Sequence, residues 1–350
     1  MLKQLYTQAN FLSLTNEDIV MIQEHLDLNL EDEEDIYKYL YDNMNTLEQN
    51  PEVDEIISKK LLAGQCTVKW FKYEYNDEFS KEVLKEKLES VDIGFNANIN
   101  QRGQQDNIDN IVSIIKEGTQ YIIKIFIQDG YKRINNGLES RKELFIRDVV
   151  VNINIDECWV EIRAKNNQCK RIEQILSEKV GLKELKEVEL LSNYHNDVNE
   201  FKNSLYNGFY LHYKAMPSEV IELTQDDGIA MVKIINSIDE YFNDNDGNKL
   251  LERLQTISLD IEGLSLVSIL LAGIDNMGVK LRNDSIVDMS EQSLYTVLKD
   301  HLIEDSSYIR FSIEPNGALY TMQLGLNTKN IVFRTSVTEE VISYIRDKVL

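Results

Sequence analysis

Apolar positions along the chain alternate between helical and strand spacing. After Thr15 and Asp18, a pair that reads as a capping box, Ile19, Ile22 and Leu26 recur at helical intervals. Asn29 precedes an acidic stretch from Glu31 to Asp35 that suits a helix N-terminal dipole. A third helix takes Asn50 as its cap, Pro51 at its first position and Gly64 just past its end. Residues 66–75 then read as a strand and 77–90 as a helix with Phe79, Val83, Leu84 and Leu88 inward. In 91–99, Val91, Ile93, Phe95, Ala97 and Ile99 alternate with polar or small residues, which predicts a strand with one buried face. A polar loop over 101–107 leads to a short helix expected at 108–117, stopped by Gly118.

The pattern is clearest from 120 to 180. Tyr121 to Ile127 is a nearly continuous apolar run and predicts a central strand, while Asp129-Gly130 and Asn136-Gly137 read as turn dipeptides. An alternating stretch over 144–155 meets a second one after Asp156-Glu157. If those two residues form the turn, Ile155 faces Cys158, Ile153 faces Val160, Val151 faces Ile162 and Val149 faces Ala164. Apolar meets apolar at every step, so the pattern itself sets the register. A helix over 167–180 follows, with Cys169, Ile172, Leu176 and Val180 on one side and Gly181 after it.

Residues 182–206 read as a polar helical connector. Beyond it come a strand at 209–213, helices at 227–241 and 249–254, and apolar strands or a short helix through 280. A helix is expected over 290–302, then a hairpin of 308–313 and 318–326 around Pro315-Asn316-Gly317, a strand at 331–335 and a last helix opened by Ser336-x-x-Glu339. The element order predicts an α+β protein with mostly antiparallel sheets, a helical N-terminal segment and two domains, 1–181 and 182–350.

Charge changes this picture more than composition does. The 350 residues carry 60 acidic and 37 basic side chains, a net charge of −23. Such a balance disfavours a general polyanion binder unless a local basic patch exists. Resolved along the chain, residues 1–65 carry −10, 66–120 carry −3, 121–180 carry +2 and 181–350 carry −12. One basic island interrupts an acidic chain: Lys132, Arg133, Arg141, Lys142, Arg147, Arg163, Lys165, Lys170 and Arg171, with Tyr131 able to stack on a base or ring. The island suits phosphate, nucleic acid or an acidic protein surface. Docking of the acidic N-terminal helices against it would instead pair its charges internally.

Three widely spaced cysteines, Cys66, Cys158 and Cys169, support neither a disulfide framework nor a cysteine zinc site. The start of the chain lacks the basic and apolar regions of a signal peptide, and the most apolar run, 263–274, is short of the roughly 20 residues a spanning helix needs. A cytoplasmic, non-membrane protein is the expectation. Frequent Ile and Asn with only 3 Pro suit an AT-rich genome such as a low-GC bacterium or its phage.

Asp148 followed by Glu161-Ile162-Arg163 resembles the D…(D/E)-x-K arrangement of restriction-endonuclease-like nucleases, with Arg in the lysine position. That resemblance implies two carboxylates sharing a metal ion and a cation steadying the attacking water. The hairpin register puts all three on one face, Glu161 opposite Asn152 and Asp148 opposite Lys165. The carboxylates are then separated by four residues, roughly 13 Å at about 3.3 Å per residue. One Mg²⁺ binds oxygens at about 2.1 Å, so this spacing favours an exposed face with alternating charges. Asn243-Asp244-Asn245-Asp246-Gly247 fails as a calcium loop, because the positions flanking it as first and twelfth ligands are Phe242 and Arg253. His25, His195, His212 and His301 share no ligand spacing, and no phosphate-loop, dinucleotide or nucleophile-elbow motif occurs. No cofactor is implied.

The leading expectation is therefore a non-enzymatic acidic binding or adaptor protein with a basic protein partner. Its setting would be a bacterial or phage complex that handles nucleic acid or acts in phage–host conflict. Two alternatives stand beside it. One is a nucleic-acid-binding protein or nuclease using segment 131–171, and the other is a DNA mimic that blocks a DNA-binding protein.

Overall fold

A computed structural model of the chain describes residues 5–27, 35–47, 49–91, 109–135, 137, 139–217, 225–244, 246–255, 277–280, 302–303 and 309–350. A 3-10 turn over Gln8–Ser13 leads into α1 (Asn16–Leu26), α2 (Ile36–Asp42), α3 (Met44–Leu47) and α4 (Pro51–Lys60). Then come β1 (Thr67–Lys72), α5 (Lys81–Ser90), β2 (Asn110–Glu117), β3 (Gln120–Asn135), β4 (Ser140–Asn154), β5 (Trp159–Arg163) and α6 (Asn166–Val180). The chain continues through β6 (Lys186–Glu187), α7 (Val198–Ser204), β7 (Phe209–Pro217), α8 (Gln225–Asp244), α9 (Gly247–Gln255), β8 (Met277–Lys280) and β9 (Leu302–Ile303). It ends with β10 (Ile309–Ile313), β11 (Tyr320–Gly325), β12 (Asn330–Phe333) and the C-terminal helix α10 (Glu339–Val349). This is an α+β protein. No helix among the described residues is long and apolar enough to cross a membrane.

The chain divides into two compact units, 1–208 with 312–350, and 209–311. The expected boundary at 181/182 is not where this division falls. Residues 182–205 are not a continuous helix: β6 pairs with β1, and Leu182, Leu190, Leu191, Val198, Phe201 and Leu205 are buried. Apolar residues at irregular intervals anchor this stretch where its polar average suggested a free connector. The C-terminal segment joins the first unit because β12 pairs with β1, Thr67 opposite Val332 and Val68 opposite Ile331.

In the first unit the strand order is β2-β3-β4-β5-β1-β12-β11, and each neighbouring pair whose register is given is antiparallel. One face carries a core in which Ile123, Ile125, Val149, Val151, Val160 and Ile162 meet Leu84 and Leu88 of α5 and Ile172, Leu176 and Val180 of α6. On the other face Ile115, Ile122 and Val150 pack against Phe11, Ile22, Leu40, Val53 and Ile57 of the N-terminal segment. Each such fully buried side chain contributes about 1.5–3 kcal/mol. Asp18 of α1 is clamped at 2.6 Å by the Lys60 ammonium of α4. Burial raises the pKa of that carboxyl, and hydrogen bonds from Lys60 and Thr15 outweigh burial, so it ends below the ordinary value.

The β4–β5 hairpin has the register its apolar pattern dictates: Ile153 opposite Val160, Val151 opposite Ile162 and Asn152 opposite Glu161. Its turn is held by the Asn154 side chain, which accepts from the Asp156 and Glu157 amides at 2.9 and 3.0 Å. Residues 110–117 are a strand and not the expected helix. Their β-branched run favours extended backbone, and Gly118 at φ +59 lets the chain reverse so that Glu117 faces Gln120. Asp129-Gly130 is likewise not a turn. It is a bulge inside β3, where the pairing steps from Gln128 opposite Ile146 to Tyr131 opposite Leu144 and Gly130 takes φ +88. The last helix is capped by Thr338, whose hydroxyl accepts from the Val341 amide, whereas Ser336 donates to the Ser13 carbonyl. The strand expected at 91–99, the Asn29 helix start, the apolar run at 263–274 and most of the helix at 290–302 lie outside the described residues.

The second unit pairs β7 with β8, His212 opposite Lys280, and with β9, Met216 opposite Ile303. Helix α8 ends at Asp244 and α9 starts at Gly247, where Asp246 caps α9 by accepting from the amides of Asn248 and Lys249. Asn245, between the two helices, lies outside the described residues.

Candidate functional site

Register places Trp70, Glu161 and Asn152 side by side across β1, β5 and β4. Their shared face is not the exposed, alternately charged surface expected. Glu161 is 0% exposed, and Arg163, Asn152 and Asn154 are buried with it, because the N-terminal segment and α10 cover this side of the sheet. One Glu161 oxygen accepts from Arg163 Nε at 2.9 Å and Asn152 Nδ2 at 3.2 Å; the other accepts from Trp70 Nε1 at 2.9 Å and Arg346 at 3.1 Å. Arg163 also donates to the Leu62 carbonyl at 2.8 Å and grips both carboxylate oxygens of Glu339. The Arg346 guanidinium lies 4.5 Å from the Trp159 ring centre. Burial pushes the Glu161 pKa up, and the charges of Arg163 and Arg346 outweigh burial, leaving the group ionised below its ordinary range. Both carboxylate oxygens are already saturated by donors, which leaves no lone pair directed at a metal ion.

Asp148 belongs to a different arrangement. It accepts from Lys124 at 3.0 Å and from Asn10 at 3.1 Å, four residues along β4 from the Asn152–Glu161 pair, or roughly 13 Å by strand rise. Lys124 is 1% exposed and also donates to the Leu5 carbonyl and Asn10 Oδ1, each at 2.5 Å, so it pins the start of the chain to the sheet. Burial depresses its pKa, opposed by Asp148. A half-open cleft of about 600 Å³ lies between that N-terminal segment and the strands, with Cys66, Arg147, Asp148, Arg163 and Lys165 in its wall. Asp148, Glu161 and Arg163 therefore share a face without forming one site.

Beyond the Gly130 bulge, β3 and β4 continue as a two-stranded ribbon whose residues 131–135 and 140–142 are exposed. Register pairs Tyr131 with Leu144, Arg133 with Lys142 and Asn135 with Ser140 on one face, and Lys132 with Glu143 and Ile134 with Arg141 on the other. The Arg141 side chain is 2.6 Å from Glu143, while Lys142 Nζ lies 4.2 Å from the Tyr131 ring centre. Tyr131 is 58% exposed.

The basic island thus separates into parts. Lys132, Arg133, Arg141 and Lys142 stand on the exposed ribbon. Arg147 pairs with Asp129 at 2.9 Å, and Arg171 pairs with Asp109 and donates to the Gln128 carbonyl, so these two tie down the ribbon's base. Arg163 is inside the Glu161 network, and Lys165 and Lys170 are exposed at the start of α6. Arg346, Glu339 and Lys124 escaped the sequence reading. The first two meet Glu161 and Arg163 across more than 170 positions, a distance no local pattern bridges. Lys124 did leave a signal, a single lysine inside the apolar run of 121–127.

Among the described residues no three His, Cys, Asp or Glu side chains gather as metal ligands. His25 lies 3.1 Å from Glu52 and His195 3.1 Å from Glu200, each a surface contact. The three cysteines are free thiols. No known protein family matches the chain, and no curated protein matches its sequence.

Proposed function

We propose that the protein is a non-enzymatic acidic binding or adaptor protein, a subunit of a complex that handles nucleic acid. The observation that carries this reading is the sequestration of Glu161. The carboxylate that the nuclease pattern would need is enclosed, neutralised by two arginines, and separated from Asp148 by four strand positions. A charge placed this way organises the sheet and the C-terminal helix, and does not face a substrate. The net charge of −23 favours a basic protein as partner, held by contacts that salt weakens.

The test is a native pull-down with the full chain. A basic protein should be retained at low salt and released near about 0.5 M, where screening leaves only contacts of a few Å. Metal-dependent cleavage of DNA or RNA by the purified chain alone would refute the reading. So would retention of partners with no basic protein among them.

A further inference from the structure

We infer that the exposed ribbon of β3 and β4, residues 131–135 and 140–144, is a contact surface for single-stranded nucleic acid, with Arg133 and Lys142 on phosphates and Tyr131 under a base. Three observations lead there. First, Arg133 and Lys142 are directly opposed on one face, and that face, Tyr131, Arg133, Asn135, Ser140, Lys142 and Leu144, contains no acid. Like charges facing each other across a strand pair repel, and although Lys142 rests over the Tyr131 ring, an anion between the two cations would relieve that repulsion.

Second, the other arginines of this region are compensated within the protein. Arg147, Arg163 and Arg171 each hold a carboxylate, and on the opposite ribbon face Arg141 holds Glu143. An acidic chain with −23 to distribute has left one small face without acid.

Third, the face combines cations with an exposed aromatic ring. An acidic protein segment needs only the charges, whereas a nucleotide chain uses both, because every base has a face that stacks and every linkage carries a phosphate. The five paired positions from 131 to 135 span roughly 15 Å, enough for two or three nucleotides. The bulge at Gly130 bends the ribbon where pairing with the covered part of the sheet gives way to exposed residues. The inference is independent of the adaptor reading: a basic partner can be retained while the ribbon binds nothing, and the reverse.

Fluorescence anisotropy of a labelled 20-mer of dT or U, with the full-length protein, tests it. Four ribbon cations set an upper slope of about −3 for log affinity against log salt, so the titration should begin near about 20 mM. Binding is expected, with a slope between about −1.5 and −3, lost in Arg133→Glu/Lys142→Glu and unchanged in the α6 control Lys170→Glu. Tyr131→Ala should weaken binding about 5- to 150-fold without changing the slope. Far-UV circular dichroism confirms that each variant is folded. No binding by the wild type at low salt overturns the proposal. Polyglutamate competing as well as the oligonucleotide would reassign the ribbon to acidic protein, and a tighter complex with a 20-mer duplex would reassign it to groove recognition; either overturns the single-strand assignment.

Discussion

The two ends of the β3–β4 hairpin are built from similar residues and treated in opposite ways. At the covered end Lys124 and Asp148, with Glu161 and Arg163 of the neighbouring β5, are packed between layers, and each charge has partners at hydrogen-bond distance. Past Gly130 the ribbon carries Arg133 and Lys142 in the open, facing each other. The same residue types therefore serve architecture at one end and remain available at the other. The difference is set by what covers the sheet and not by the strands themselves. A charge count over the segment, +2 for residues 121–180, averages the two and conceals both.

Removing one member of the buried network should have the largest effect. Arg163→Met leaves Glu161 short of a donor and Glu339 without its clamp, and should cost about 3–5 kcal/mol in urea unfolding. Replacing the three together, as Glu161→Leu/Arg163→Met/Arg346→Leu, should recover part of that loss, since three buried charges are removed at once while Trp70 Nε1 and Asn152 Nδ2 lose their acceptor. A single variant that unfolds like wild type would mean that the covered end tolerates unpaired charge, and the contrast with the ribbon would collapse.

Acid should act on the covered end next. The carboxyls of Glu161 and Asp18 lie below their ordinary range in the folded protein, Glu161 through Arg163 and Arg346 against its burial and Asp18 through Lys60 and Thr15 against its burial. A depressed carboxyl adds stability that is complete above the unfolded value near about 4 and is lost as pH falls through the folded one. The urea midpoint should hold from about pH 7 to 5 and drop below about 4, less steeply in the triple apolar variant. Equal slopes in the two proteins would remove Glu161 from the explanation.

At the junction Gly130→Ala should cost about 1–2 kcal/mol. Nothing lies within 4 Å of the added methyl, so the whole effect comes from φ +88 and none from crowding. The smallest change belongs to the open end. Arg133→Ala/Lys142→Ala should leave the unfolding midpoint where it was or raise it slightly, because two like charges part company. A clear loss of stability would show that the ribbon cations are structural after all.

How much of this was written in local sequence depends on the range of the interaction. The β4–β5 register was legible because Ile153, Val151, Val160 and Ile162 sit at period two, and a one-residue slip would have turned them all outward. Strand β2 was not legible as a strand, since Ile111, Ile114 and Ile115 fit helical spacing and only β-branching pointed the other way. The Gly130 bulge looked like a turn because a glycine with positive φ serves both. Of the candidate site, Tyr131, Lys132, Arg133, Arg141 and Lys142 stand exposed, whereas Arg163 and Glu161 were assigned to the surface because their covering partners Glu339 and Arg346 come from the far end of the chain.

That far end carries a consequence for how the protein is made. Residues 209–311 interrupt the first unit in sequence, so α10 leaves the ribosome only after them. Until it emerges, Glu161 lacks Arg346 and Arg163 lacks Glu339, so a nascent chain several hundred residues long holds only the inner Glu161–Arg163 pair. Closure of this polar centre therefore waits for the synthesis of α10, and a product truncated before α10 lacks the Arg346 and Glu339 partners and leaves the Glu161–Arg163 pair uncovered.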